Sequence, residues 1–150
     1  MIDNSINNPK LLDFNFVGDA HFSYEDMLHH AYLEGKKDFQ KELISKMQNG
    51  LQTSAMTSSL FKEKLKDQNI EVKDMFLRIL DLTEFECLVL LSDKDYFSKE
   101  MRWNAYAIAR NLNNKIDEID IKFTLMPYSD DIRKDIISSE GYCFKYDAKE

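Results

Sequence analysis

The sequence predicts an α+β fold: N-terminal helices at about 23–49 and 58–68, followed by a β-β-α-β-α-β unit with a mixed sheet. Two observations carry this expectation. Before residue 70, apolar residues recur at the three-to-four spacing of a helix; after it, they alternate or gather in short runs bounded by polar residues, as in strands. The 150 residues are 43% hydrophobic and include ten Phe and seven Tyr. A chain of this length buries about two thirds of the surface that its unfolded form exposes, so a single domain is expected over 1–150.

Residues 1–22 mix Asn, Asp and aromatics without a period and read as an extended arm, packing through Leu11, Leu12, Phe14, Phe16 and Val17. Ser23 with Asp26 forms a capping box, which starts a helix through Met27, Ala31, Phe39, Leu43 and Met47 that stops at Asn49-Gly50. Gln52 to Ser59 is polar and reads as a linker, followed by a short helix that ends near Asn69 and closes the helical part at 23–70. The sheet with its two helices occupies 71–150. Val72 to Leu82 fits either a strand or a helix; the strand is chosen, with a hairpin turn at Asp81 to Glu84. Phe85 to Leu91 is apolar on both alternating sets, the pattern of a central strand. Ser98 caps a helix that Asn113-Asn114 stops, and Ile119 to Met126 alternates as a strand that Pro127 ends. Ser129 starts a last helix, Gly141 provides its exit, and Tyr142 to Tyr146 forms the final strand.

Composition excludes several chemistries. The four glycines, Gly18, Gly35, Gly50 and Gly141, stand alone, so the clustered glycines of a P-loop or dinucleotide turn are missing. The net charge of −7 opposes a general nucleic-acid binder, which needs a basic footprint. Seven lysines between residues 36 and 66 face only Asp38, Glu42 and Glu63, and read as solvated helix faces. No apolar run is long enough to span a membrane, and Met1 to Lys10 lacks the order of a signal peptide, so a cytoplasmic protein is expected. Cys87 and Cys143 lie in apolar strand-like runs and read as buried, inert thiols without a structural disulfide.

The three histidines, His21, His29 and His30, sit in one stretch with Glu25 and Glu34 at helical spacing. His29 and His30 point about 100° apart on a helix, and no HExxH pattern is present, so surface histidines are expected rather than a metal site. A nucleophilic triad has no GxSxG turn and no histidine outside that stretch to serve it. Arg102, Trp103, Tyr106 and Arg110 fall on one side of the helix that Ser98 caps. Arginine and aromatic side chains together favour interfaces, which makes these four the interaction candidates; the more ordinary expectation is that Trp103 and Tyr106 cover the edge of the sheet.

One further group of residues carries a resemblance. Thr83 to Leu91, the helix that follows, Ile119 to Phe123, and Ile132 to Tyr142 resemble, in order, the latter part of small nucleotidyltransferase domains, over residues 72–146. The resemblance implies that Glu84, Glu86 and Asp120 hold magnesium, which would bridge a nucleotide's phosphates. The Gly-Ser turn that the family places ahead of its acidic pair is missing, since Phe76 to Leu82 contains neither residue, and the pair here is Glu rather than Asp. The resemblance thus implies a degenerate relative that binds a nucleotide.

The favoured expectation is a small cytoplasmic α+β domain without enzymatic activity or cofactor, acting through protein contacts as a homodimer or beside another chain. Neither nucleic acid nor membrane is an expected partner. The alternative is a degenerate, magnesium-dependent nucleotide-binding domain.

Overall fold

The computed structural model describes residues 14–17 and 37–147. Their element order is β1 (Phe14–Phe16), α1 (Lys37–Asp67), β2 (Val72–Asp81), β3 (Glu84–Leu91), the single turn α2 (Asp93–Tyr96), α3 (Lys99–Asn114), β4 (Asp120–Pro127), α4 (Lys134–Ser139) and β5 (Phe144–Tyr146). The strands form one mixed sheet in the order β1-β5-β2-β3-β4. Only β3 and β4 run parallel, with Glu84 opposite Asp120 and Leu91 opposite Pro127; all other neighbours are antiparallel. A parallel pair needs a crossover, which α2 and α3 supply.

The fold class is α+β, but the element order departs from expectation at three places. The arm contributes a strand: Phe14 to Phe16 pairs with Tyr146 to Phe144 at the sheet edge. Phe14 is fully buried and stands edge-on to Tyr146 at 5.4 Å, a burial that stabilises this edge by about 2 kcal/mol. The extra turn α2 sits between β3 and α3. The third departure is the largest: Gly50 does not stop a helix, and Gln52 to Ser59 is no linker, because α1 runs through both without interruption.

The physical reason lies in packing. Met47, Leu51, Ser54, Ala55, Ser58, Phe61 and Leu65 are buried along one stripe of α1. Gly50 belongs to the same stripe, and a β-carbon there would come within 2.9 Å of the Phe85 ring and 3.2 Å of Ile119. Small residues at 50, 54 and 58 therefore let the helix approach the sheet closely. Weak helix formers persist here because tertiary burial, not propensity, stabilises the helix. The helix ends where expected. Asn69 takes the left-handed conformation at φ 60°, the Ile70 amide donates to the Leu65 carbonyl at 2.9 Å, and the Asn69 amide donates to that of Lys66 at 3.0 Å. This is a Schellman closure with buried Leu65 and Ile70 at its two ends.

The strand chosen for Val72 to Leu82 is observed as β2, which joins β3 through Leu82-Thr83. β3 is buried at every position after Glu84, so both faces of the sheet are covered. The inner face packs Met75, Leu77, Phe85, Cys87, Val89, Leu91, Ile121, Phe123 and Leu125 in one cluster with the buried residues of α1 and α3. On the outer face a smaller cluster joins Phe76, Leu88 and Leu90 to Ile137 and Tyr142. Ser129 does not cap α4 as expected. Its hydroxyl instead accepts from the Asp131 amide at 3.2 Å, closing a local turn, and α4 begins later, after Arg133, with no side-chain cap. Gly141 does provide the exit, at φ +97°, a conformation that side chains disfavour. Both cysteines are buried and neither is in a disulfide, and burial pushes the Cys87 thiol up to about 12. Among the described residues no helix is long and apolar enough to cross a membrane.

The close approach at Gly50 is testable. Gly50→Val should lower stability by about 1–3 kcal/mol through overpacking, whereas the exposed Gln52→Ala in the same helix should leave it unchanged or raise it by a few tenths. Urea denaturation followed by circular dichroism measures both; equal effects would remove the packing explanation.

Candidate functional site

Two groups of candidate residues fall within the described chain, and the structure treats them differently. Glu84, Glu86 and Asp120 lie at the start of the parallel β3–β4 pair. Glu84 and Asp120 are register partners and both are exposed, while Glu86 stands opposite Lys122. Glu86 is only 4% exposed. One of its carboxylate oxygens accepts from Arg78 Nε at 2.8 Å and from Arg78 Nη2, and the other accepts from the Thr124 hydroxyl at 2.6 Å. Arg78 also donates to the Glu140 carbonyl at 3.0 Å and lies 4.6 Å from the centre of the Tyr142 ring. The charge of Glu86 is thereby taken up inside the protein, tying β2, β3 and β4 to the segment after α4. Among the described residues, no three His, Cys, Asp or Glu side chains are arranged to hold a metal ion.

Burial works to raise the Glu86 carboxyl, but the hydrogen bonds from Thr124 and Arg78 and the charge of Arg78 prevail and hold it below the usual value. Burial, and then the charge of Glu86, push the Tyr142 phenol up to about 12. These are the properties of a closed structural network.

The second group comes together on the surface. Arg102, Trp103, Tyr106 and Arg110, with Lys99 and Tyr96, line one open groove of about 440 Å³. Positions 99, 102, 103, 106 and 110 of α3 follow helical spacing, so their side chains share one side of the helix. A neighbouring stripe of α3, Ala105, Ala109 and Leu112, is buried against the core. Trp103 is 60% exposed and Tyr106 40%. Arg102 lies 5.5 Å from the centre of the Tyr96 ring. Three cations and three aromatic rings thus face solvent along one groove.

The groove's position is set by a corner that the sequence reading missed. Asp95, buried in α2, accepts from the Glu71 amide at 2.7 Å and from the Ser92 hydroxyl at 2.9 Å, while Ser92 caps α2. This fastens α2 to the entry of β2, and Ser98, accepting from the Met101 amide, then starts α3 as expected. Ser92-x-x-Asp95 is the sequence signal that could have located this corner. The histidine group, His21, His29 and His30 with Glu25 and Glu34, lies outside the described residues.

No protein-family model matches this chain, and no curated protein or solved structure matches it. The nucleotidyltransferase resemblance therefore rests on the residues of this chain alone.

The buried network makes a pH prediction. A carboxyl held below its ordinary value adds stability that is fully present above the unfolded value, about 4.3, and is lost as pH falls through the folded one. Glu86→Gln should therefore be less stable than the unsubstituted protein at neutral pH, and the gap should close on acidification. A phenol held protonated adds stability below about 10 that is lost as pH rises toward about 12, so Tyr142→Phe should flatten the alkaline decline. Urea midpoints measured across pH check both limbs. A gap for Glu86→Gln that stays constant down to pH 3 would contradict the network.

Proposed function

We propose that this protein is a cytoplasmic interaction module without catalytic activity, whose contact surface is the groove of Arg102, Trp103, Tyr106 and Arg110 on α3. The observation that carries the reading is the placement of these four residues in one groove with Tyr96 and Lys99, on a helix whose neighbouring stripe is fixed in the core. Partly exposed Trp, Tyr and Arg are the side chains that most often dominate binding energy at protein interfaces. The rigid support also keeps the entropic cost of ordering this surface on binding low. A second reading, nucleotide binding with magnesium, draws on the register that sets Glu84 beside Asp120. On this reading the melting temperature rises with magnesium and a nucleoside triphosphate and the rise is lost in Glu84→Ala/Asp120→Ala; a melting temperature indifferent to every triphosphate removes it.

A photo-crosslinking residue at position 103 tests the interaction reading in intact cells. It should yield an adduct of defined mass that disappears when Arg102→Glu and Arg110→Glu are added. The same adducts from a probe at Glu63, exposed on α1 and outside the groove, or none at position 103, would contradict it. Because the replaced side chains are exposed or half-buried, the melting temperature of these variants should stay within a few degrees of the unsubstituted protein.

A further inference from the structure

The groove on α3 has a neighbour of opposite charge. On the other side of the α2–α3 corner, an open recess of about 730 Å³ is lined by Asp93, Asp130 and Asp131, with Phe97 and Tyr128 among its walls. Its one cation, Lys73, is already paired with Glu71 at 2.9 Å. Tyr96 lines the cationic groove, Phe97 lines the acidic recess, and their rings meet edge-to-face at 5.1 Å. The two recesses therefore adjoin through a pair of aromatic side chains, and Phe97 is 69% exposed.

Among the described residues, none of Lys99, Arg102, Arg110, Asp93, Asp130 or Asp131 forms an ion pair within the chain. Three cations and three carboxylates that make no ion pair among the described residues thus flank exposed Phe97 and Trp103, although the charge of Asp130 does act on Lys73. A surface that meets a copy of itself across a two-fold axis must be self-complementary: whatever patch one copy presents, the other presents in reverse. Adjacent patches of opposite sign around an apolar centre meet that condition. The aromatic centre would supply most of the affinity, and the charges would fix the orientation. A nucleic acid fits less well, since its phosphates would meet Asp93, Asp130 and Asp131 beside the groove, on a protein of net charge −7.

From this we infer that the partner of the α3 surface is a second copy of the chain, docked so that the cationic groove of each copy faces the acidic recess of the other. The inference rests on reading α3 as a contact surface and names the occupant.

Charge exchange tests it. Sedimentation velocity should find a concentration-dependent dimer of the unsubstituted protein. Arg102→Glu/Arg110→Glu and Asp130→Lys/Asp131→Lys should each weaken dimerisation by about 30-fold or more, because each makes both patches the same sign. Mixed in equal amounts, the two variants should form a heterodimer, since reversed charges then meet correctly at both contacts. Unchanged melting temperatures exclude misfolding as the cause. An unsubstituted protein that stays monomeric up to about 1 mM, variants that dimerise normally, or a mixture that stays monomeric would overturn the inference. Crosslinking of position 103 to a different protein, with this chain monomeric, would overturn it while leaving the interaction reading standing.

Discussion

The rest of the structure depends on the burial of β3 on both its faces. A strand apolar on both alternating sets can be satisfied only if the sheet is covered above and below. On the inner face this requires α1 to cross close to Phe85, which is where Gly50 leaves no β-carbon, and α3 to present alanines at the contact. On the outer face the short α4 supplies Ile137, and the chain beyond it supplies Tyr142. Glu86 is the one carboxylate that β3 carries into this burial. It is tolerated because Arg78 and Thr124 occupy both of its oxygens; a buried charge without partners would cost several kcal/mol.

The same constraint decides which surfaces are left over. With one side of α3 committed to the core and α2 fastened through Asp95 to the entry of β2, the rest of α3 and the α2–α3 corner hold the aromatics that packing does not use. Trp103, Tyr106 and Phe97 are exposed beside charges that form no ion pair among the described residues. Exposed aromatic area of this kind is a cost to a protein that never covers it. We read it as the surface through which this protein acts.

Much of the fold was legible where one residue controls one local event. Ser98 caps α3, Asn69 closes α1, and Gly141 turns the chain after α4, because capping and left-handed backbone depend on nearby atoms alone. The alternation of Ile119 to Met126 and the apolar run of Phe85 to Leu91 likewise marked their strands. Apart from Ser129, whose hydroxyl closes a turn with Asp131 instead of capping α4, the reading failed where a residue's role is set by something distant in sequence. Gly50 and the polar stretch Gln52 to Ser59 look like a break until Phe85 and Ile119 are known to lie against the helix. Phe14 looked like part of an arm, yet its place is fixed by β5, which lies more than a hundred residues later. In the candidate site, the helical spacing of Arg102, Trp103, Tyr106 and Arg110 placed them on one side of a helix. The contribution of Tyr96, and the acidic recess beyond Phe97, required the fold. Glu84 was read as the end of the hairpin turn, whereas it opens β3 beside Asp120 of β4, and nothing local revealed that Arg78 would claim Glu86.

Trp103 is the only tryptophan in the chain, so the protein carries its own probe at the surface in question. The most direct measurement is its fluorescence emission as protein concentration is raised. If the α3 surface is covered by a second copy, the emission of the exposed indole shifts to shorter wavelength in step with the dimer fraction. An emission maximum that stays at the long-wavelength, solvent-exposed position while the protein dimerises would place the contact elsewhere and contradict the account.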